Sequence, residues 1–186
     1  MGTVTPAKLS GILPGSSVIL KFTPEKDYSL YSVEINGSKV KDIQPSAVEV
    51  QYTYKDIKNN ILVKPAFVET LNLLISNVLN NSPWKLKSMN IYKDDGTFLF
   101  SFPLLQEDKE IKRYFYYPQG EVKMYYPDGS LYWSSTWSIS GNNFRLGGGD
   151  MTIIELTASR LVFKAPPGAD PTTGIINYAQ YTYERN

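Results

Sequence analysis

The stretch Tyr125–Phe163, YYPDGSLYWSSTWSISGNNFRLGGGDMTIIELTASRLVF, decides the fold class of the second half of this chain. Between Leu131 and Ile139 every second residue is apolar or small, and the residues between them carry hydroxyl groups. This period of two is typical of a half-buried β-strand, with one face towards a core and the other towards water. Turn sequences rich in glycine and asparagine interrupt the stretch, so it predicts consecutive antiparallel strands.

The same pattern extends over the second half of the chain from Trp84 onward. The predicted turns carry glycines, as at Gly96, Gly120 and Gly129, and glycine favours tight reversals. Successive hairpins with one apolar face must close into a barrel or stack as a sandwich, because open edges promote association. We predict about nine strands in residues 82–186, at 84–92, 97–102, 111–117, 121–126, 131–139, 144–146, 151–156, 160–164 and 175–184.

The first half predicts a separate, smaller β module over residues 11–68, preceded by a flexible leader over residues 1–10. Asn36 and Gly37 form the dipeptide that favours a two-residue hairpin turn. The chain as a whole is therefore expected to be mainly β. The strands predicted in this module are 17–22, 28–35, 38–40, 48–54 and 61–67.

One helix is predicted between the two halves. Apolar residues recur there at the spacing of one helix face, at Leu71, Leu74, Ile75, Val78 and Leu79. We expect a helix over 69–80, and a connecting segment over 69–81 that either joins the two domains or closes one end of the second.

The composition removes several classes of chemistry. The chain has no cysteine and no histidine, which excludes disulfides, thiolate chemistry, imidazole catalysis and zinc sites of the usual kind. A net charge of +1 at pH 7 provides no field for nucleic acid. No apolar stretch reaches the ~20 residues of a membrane-spanning helix. We therefore expect no cofactor, no metal, no nucleic acid partner and no membrane span.

The first half resembles the divergent repeat module of bacterial surface proteins related to the internalin B-repeat. The residues that carry the resemblance are a glycine-led opening strand, a turn at Pro24, the segment 32–40 (SVEINGSKV) and the segment 52–67 (YTYKDIKNNILVKPAF). Pro65 departs from an ideal pairing strand. The resemblance implies a small β fold on an extracellular protein, without a catalytic role.

The second half resembles a lipocalin-like (calycin-type) domain of secreted proteins of bacteroidete bacteria. Trp84 opens the first strand directly after a helix, and the segments 137–146 (WSISGNNFRL) and 154–163 (IELTASRLVF) follow the layout of these domains. Ser82 replaces the glycine that lipocalins usually have two residues before this tryptophan. The resemblance implies an up-and-down antiparallel barrel in which Arg160 packs on Trp84; a solvated Arg160 beside a turn is the alternative.

Carboxylates are the candidates for acid–base catalysis in the second half. All but one lie beside glycine-containing turns, where Asp bonds its own backbone and Gly adopts positive φ. We interpret the aspartates among these carboxylates as turn residues, predict no catalytic residues and expect that the chain is not an enzyme. The candidates are Asp94, Asp95, Asp128, Asp150 and Glu155.

A barrel of this size is either filled by its own side chains or holds one small ligand. Phe98 and Phe144 are expected to point inward together with the predicted ligand-binding residues. The expected ligand is a small apolar or amphipathic molecule, and the alternative is a solid interaction module without a ligand. The predicted ligand-binding residues are Trp84, Phe100, Phe115, Met124, Trp133, Trp137, Phe163 and Tyr181.

Exposed tyrosines offer a second kind of contact, because tyrosine combines a flat ring with a polar group. Tyr114, Tyr116, Tyr125 and Tyr132 are expected to form a patch for a glycan or a surface protein; ordinary alternation on exposed strand faces explains them equally well. The resemblances imply a secreted or cell-surface location, with a leader, and a lipid anchor if there is one, ahead of the polar start at Met1.

Overall fold

The computed structural model describes residues 1–8 and 10–186, which form antiparallel sheets and two short helices. The mainly β class predicted from the sequence is confirmed. The chain divides into two compact units, Met1–Leu73 and Leu74–Asn186. Among the described residues, no helix has the length and apolar character needed to cross a membrane.

Unit 1 contains two three-stranded sheets. One has the order β1 (Gly2–Thr5), β2 (Val18–Pro24), β5 (Val50–Tyr54), and the other has the order β4 (Ser38–Lys39), β3 (Tyr28–Ile35), β6 (Val63–Glu69). Alternate residues of β2 are buried, as a two-residue period requires. The buried core of this unit consists of Val18, Leu20, Phe22, Leu30, Val33, Ile35, Ile43 and Ile57.

The predicted hairpin turn in unit 1 is confirmed. Asn36 and Gly37 have φ of 52° and 78°, which are the positive values that a tight two-residue hairpin needs, and they join β3 to β4.

The leader predicted over residues 1–10 differs from the structure at its start, because Gly2–Thr5 pairs with β2. A strand of only four residues is too short for its sequence to show a clear two-residue alternation.

Unit 2 contains one ten-stranded sheet. The positions of the predicted strands agree with those observed, and the short β15 is the one strand that was not predicted. The strands of this sheet are β7 (Lys85–Lys93), β8 (Phe98–Ser101), β9 (Lys112–Tyr116), β10 (Glu121–Tyr125), β11 (Leu131–Ser140), β12 (Asn143–Leu146), β13 (Gly149–Leu156), β14 (Arg160–Lys164), β15 (Gly168–Ala169) and β16 (Ile176–Glu184).

The strand order is β8-β7-β16-β14-β13-β12-β11-β10-β9, and β15 pairs with β16. Sequence neighbours pair from β9 to β14, as in an up-and-down arrangement. An isolated antiparallel bridge joins Trp84, directly before β7, to Arg113 of β9. In this bridge each backbone N–H donates to the carbonyl of the other residue, at 2.9 Å in both directions.

The helix predicted over 69–80 is much shorter in the structure. Helix α1 spans Thr70–Ile75, and Glu69 belongs to β6. The reason is tertiary: the carbonyls of Leu74 and Ser76 accept hydrogen bonds from Arg185, and the carbonyl of Ile75 accepts one from the Trp84 indole. Carbonyls engaged in this way do not continue the helical pattern, in which each carbonyl accepts from the N–H four residues later.

A second helix, α2 (Gln106–Glu110), lies between β8 and β9 and was not predicted. All five of its residues are polar or charged, and none is buried. Without an apolar stripe, the helical period that identifies amphipathic helices is missing.

Candidate functional site

All eight predicted ligand-binding residues lie on one face of the sheet of unit 2, which we call the inner face. The register places Met124 opposite Trp133, Phe163 opposite Tyr181, and Phe100 opposite Ile91. Residues directly opposite each other in an antiparallel pair share a face, and so do residues two apart in one strand. Following these pairs across the sheet connects the whole predicted set.

Phe98, which was also expected on this face, is an exception. A register shift between Ile91 and Tyr92 places Phe98 opposite Tyr92, on the outer face. The Phe98 ring meets the Tyr92 ring edge-on at 5.7 Å between centroids, and 53% of Phe98 is exposed. The prediction for Phe98 was wrong because a one-residue bulge turns a side chain to the other face.

Part of the inner face is a packed aromatic cluster. Phe144 is fully buried and contacts Phe115 and Phe163 at centroid distances of 5.9 and 5.5 Å. Phe115 also meets Trp137 edge-on at 5.7 Å, and Phe163 stacks on Tyr181 at 5.2 Å. The Trp137 indole N–H donates to backbone carbonyls, so this polar group is satisfied. These rings therefore pack directly against one another.

The rest of the inner face exposes apolar side chains. Trp133 is 37% exposed and Phe100 is 50% exposed. Met124, opposite Trp133, is partly buried. Gly147 lies under the edge of the Trp133 indole, where an added Cβ would be 3.2 Å from the ring. The inner face therefore has a buried region around Phe144 and an open region around Trp133.

Trp84 belongs to the buried region and has 0% exposure. Its indole N–H donates to the Ile75 carbonyl at 2.7 Å. The guanidinium that packs on its ring is that of Arg185, at 4.2 Å from the centroid. Of the two expectations for Arg160, packing on Trp84 was wrong, and the alternative of a solvated arginine agrees with the structure. Arg160 is partly exposed and contacts Glu155 and Glu184 at 3.1 and 3.2 Å, on the opposite face from Trp84.

Arg185 is a buried cation held by backbone carbonyls. It donates to the carbonyls of Ala158, Ser76 and Leu74 at 2.8, 3.0 and 2.6 Å. Burial lowers the pKa of Arg185 to about 10, because a charged group loses hydration in the interior. The sequence-based predictions did not include Arg185. The one feature that could have drawn attention to it is its position as a basic residue directly after the last strand.

A second arginine, Arg113, is also buried, and its guanidinium lies 4.9 Å from the Tyr183 ring centroid. Its Nη1 donates to the Ile111 carbonyl at 3.3 Å, and its Nε has no hydrogen-bond partner. Burial raises the pKa of the Tyr183 hydroxyl, and the charge of Arg113 opposes this increase.

The candidate carboxylates occupy separate positions. Asp95 accepts a hydrogen bond from the Thr97 N–H at 2.8 Å, and Asp128 accepts from the N–H and the hydroxyl of Ser130. These bonds lower the pKa of both carboxyls. The interpretation of Asp95 and Asp128 as turn residues is confirmed. Asp150 and Glu155 instead pair with Arg145 and Arg160.

Three of the four tyrosines expected to form a patch lie together on the outer face of β9 and β10. Tyr114 stacks on Tyr116 at 6.5 Å and meets Tyr125 edge-on at 5.9 Å. Burial and the neighbouring Tyr125 raise the pKa of the Tyr116 hydroxyl. Tyr132 instead contacts Tyr126, at 5.0 Å between centroids.

Comparison with known proteins identifies no relative. No protein-family model, curated protein or solved structure matches this chain. Function is therefore argued below from the geometry of unit 2.

Proposed function

We propose that unit 2 is a lipocalin-like barrel of eight strands, closed between β7 and β9. The reciprocal hydrogen bonds between Trp84 and Arg113 support closure, since they connect strands that lie near opposite ends of the sheet order. The tryptophan–arginine stack supports the lipocalin resemblance, with Arg185 in the role expected for Arg160.

The function we propose is the non-catalytic binding of a small apolar or amphipathic molecule at the open region of the inner face. The observation that carries it is the difference between two tryptophans of one strand on one face: Trp137 is buried, whereas Trp133 is exposed. Exposed aromatic surface on a concave face, rimmed by polar groups, is typical of a ligand site. The packed cluster around Phe144 limits such a ligand to the open region.

The second candidate function is that of an interaction module with a solid core and no small-molecule ligand. The packed cluster favours it, because rings that fill the interior need no further reason to be apolar. In this case the partner is a surface protein or a glycan, and the cluster of Tyr114, Tyr116 and Tyr125 is the contact surface.

Both candidates include a secreted or cell-surface bacterial setting in which unit 1 is a spacer of the B-repeat type. The resemblance of residues 11–68 and 79–186 to domains of such proteins supports this setting. Finding a secretory leader ahead of Met1 in the gene would support it further, and detection of the native protein in the cytoplasm alone would contradict it.

Titration of the intact chain with an environment-sensitive apolar fluorophore separates the two candidates. For ligand binding we expect a saturable signal that a long-chain fatty acid displaces. The variant Trp133→Ala should weaken binding about fivefold or more, because stacking on one aromatic ring contributes ~1 kcal/mol. Tyr132→Ala is the matched control, because Tyr132 neighbours Trp133 in the same strand, is also exposed and lies on the other face. The absence of a saturable, displaceable signal would favour the solid module.

A further inference from the structure

A basic groove lies on the outer face of unit 2, away from the inner-face residues. It encloses about 630 Å³, a size typical of small-molecule sites. Lys85 and Lys87 reach it from β7, Lys112 from β9, and Arg160 and Glu184 from β14 and β16. The register explains the grouping, because Lys85 lies opposite Glu184, which in turn lies opposite Arg160.

The geometry of the groove follows from the bridge between Trp84 and Arg113. Lys85 and Lys112 directly adjoin these two residues, so the bridge brings together basic residues from strands that are distant in the sheet order. Because Trp84 and Arg113 point to the inner face, their neighbours point outward. Two sequence-distant lysines are thereby held next to each other on one surface.

Positive charge in the groove exceeds negative charge. Five of the described lining residues are cationic, and Glu184 is the single one with a carboxylate side chain. Glu184 is shared between Arg160 at 3.2 Å and Lys87 at 3.7 Å. Within the described chain, Lys85 and Lys112 form no ion pair. Like charges held together without counter-charges repel one another.

Arg185 is a further cationic residue at the lining of the groove. Its guanidinium bonds only neutral carbonyls, and 5% of the residue is exposed. Burial lowers the pKa of this guanidinium, and an anion bound nearby would raise this pKa again because it favours the charged form. The three carbonyls and the Trp84 ring hold the Arg185 side chain in one position next to the groove.

We propose that the basic groove binds a small molecule carrying more than one oxyanion group, such as a phosphate or sulfate ester. Lys85 and Lys112 contact the anion directly, and Arg185 contributes a fixed positive field from below. Ser82, Ser159 and Tyr114 also line the groove, and in this proposal their hydroxyl groups supply hydrogen bonds to ester oxygens. This site is separate from the ligand site proposed at Trp133.

Calorimetric titration of the intact chain with inorganic pyrophosphate, and separately with a disulfated disaccharide, tests the proposal. We expect saturable binding of at least one of these probes, weakening as sodium chloride is raised. The double variant Lys85→Gln/Lys112→Gln should reduce affinity about tenfold, the effect of losing two direct charge contacts. Saturation by one probe and not the other shows whether the groove prefers phosphate or sulfate groups.

The matched control is Lys93→Gln/Lys109→Gln, which makes the same change in net charge within unit 2 but outside the groove. Equal weakening in both double variants would overturn the proposal, because the interaction would then be unspecific. Binding to vesicles of anionic lipid with no binding of either small probe would also overturn it. Fluorophore binding at Trp133 is read independently, so failure of one site is distinguishable from failure of the other.

Discussion

The guanidinium of Arg185 lies 4.2 Å from the centroid of the Trp84 indole ring and donates hydrogen bonds to three backbone carbonyls. Trp84 itself donates to the carbonyl of Ile75, between two of the residues that Arg185 contacts. Together the two side chains fix residues 74–76 against the last strand of unit 2. They connect the beginning, the end and the turn at Ala158 of this unit.

Replacing Arg185 should destabilise unit 2 strongly. Arg185→Met leaves three carbonyls without their donors, and buried unpaired polar groups cost ~1–3 kcal/mol each. We expect a loss of about 3 kcal/mol, measured by urea unfolding followed through tryptophan fluorescence. Arg185→Lys should lose almost as much, because lysine lacks the planar fork of donors.

Arg145→Met is the control for this prediction, because Arg145 lies on an exposed strand position and pairs only loosely with Asp150 at 3.8 Å. Its expected effect is below about 0.5 kcal/mol. Identical unfolding midpoints for the Arg185→Met and Arg145→Met variants would show that the stack on Trp84 has no structural importance.

Two phenylalanines of unit 2 should respond in opposite ways to truncation. Phe144→Ala removes a fully buried ring from the aromatic cluster and should cost about 3–5 kcal/mol. Phe98→Ala, on the exposed outer face, should cost less than about 1 kcal/mol. Denaturant unfolding of both variants checks the prediction, and a larger loss for Phe98→Ala would contradict the assignment of the faces.

Asn77 should be important for the edge of β9. Its backbone N–H donates to the Phe115 carbonyl at 3.0 Å, and its side-chain Oδ1 accepts from the Phe115 backbone N–H at 2.9 Å. The side-chain amide also donates to the carbonyls of Ser82 and Asn80. We expect Asn77→Ala to reduce the unfolding free energy by about 2 kcal/mol, with faster amide exchange at Phe115. The exposed Asn143→Ala is the control, and unchanged exchange at Phe115 would contradict the prediction.

Asp128 should titrate at a lower pH in the folded protein than in an unfolded peptide. The hydroxyl and the N–H of Ser130 donate to its carboxylate, which lowers the pKa of this carboxyl below its ordinary value of 3.8. Since the folded pKa is the lower one, the stabilisation is present above the unfolded pKa and is lost as pH falls through the folded pKa.

Carboxyl-carbon NMR titration of the protein and of a peptide covering residues 126–131 measures this difference. In the variant Asp128→Asn the amide oxygen still accepts the backbone hydrogen bond, and this turn should no longer contribute to the loss of stability in acid. A folded-state pKa equal to that of the peptide would be inconsistent with the turn geometry.

Much of unit 2 could be predicted from local patterns. The alternation in β11 gave its two faces correctly, so that Trp133 and Trp137 share the inner face. The strand bounds and the Asn36–Gly37 turn also follow from side chains within a few residues of one another. Such features depend on backbone preferences and on the period of burial, both of which are written locally in the sequence.

The predictions that were wrong concern residues whose surroundings are built by distant segments. Phe98 lies on the outer face and not on the predicted inner face because of a bulge between Ile91 and Tyr92. A bulge depends on the pairing of two strands and cannot be read from either strand alone. Helix α1 ends at Ile75 because partners from the other end of unit 2 take the carbonyls that would extend it.

The sequence alone determined that this protein is mainly β, where its strands and turns lie, and that chemistry based on histidine, cysteine or disulfides is excluded. The tertiary structure decided which arginine stacks on Trp84, how far the aromatic cluster fills the inner face, and which lysines face each other across the bridge of Trp84 and Arg113. The physical reason is that strand period is a local property, whereas strand register and side-chain packing arise only when residues separated by many positions come into contact.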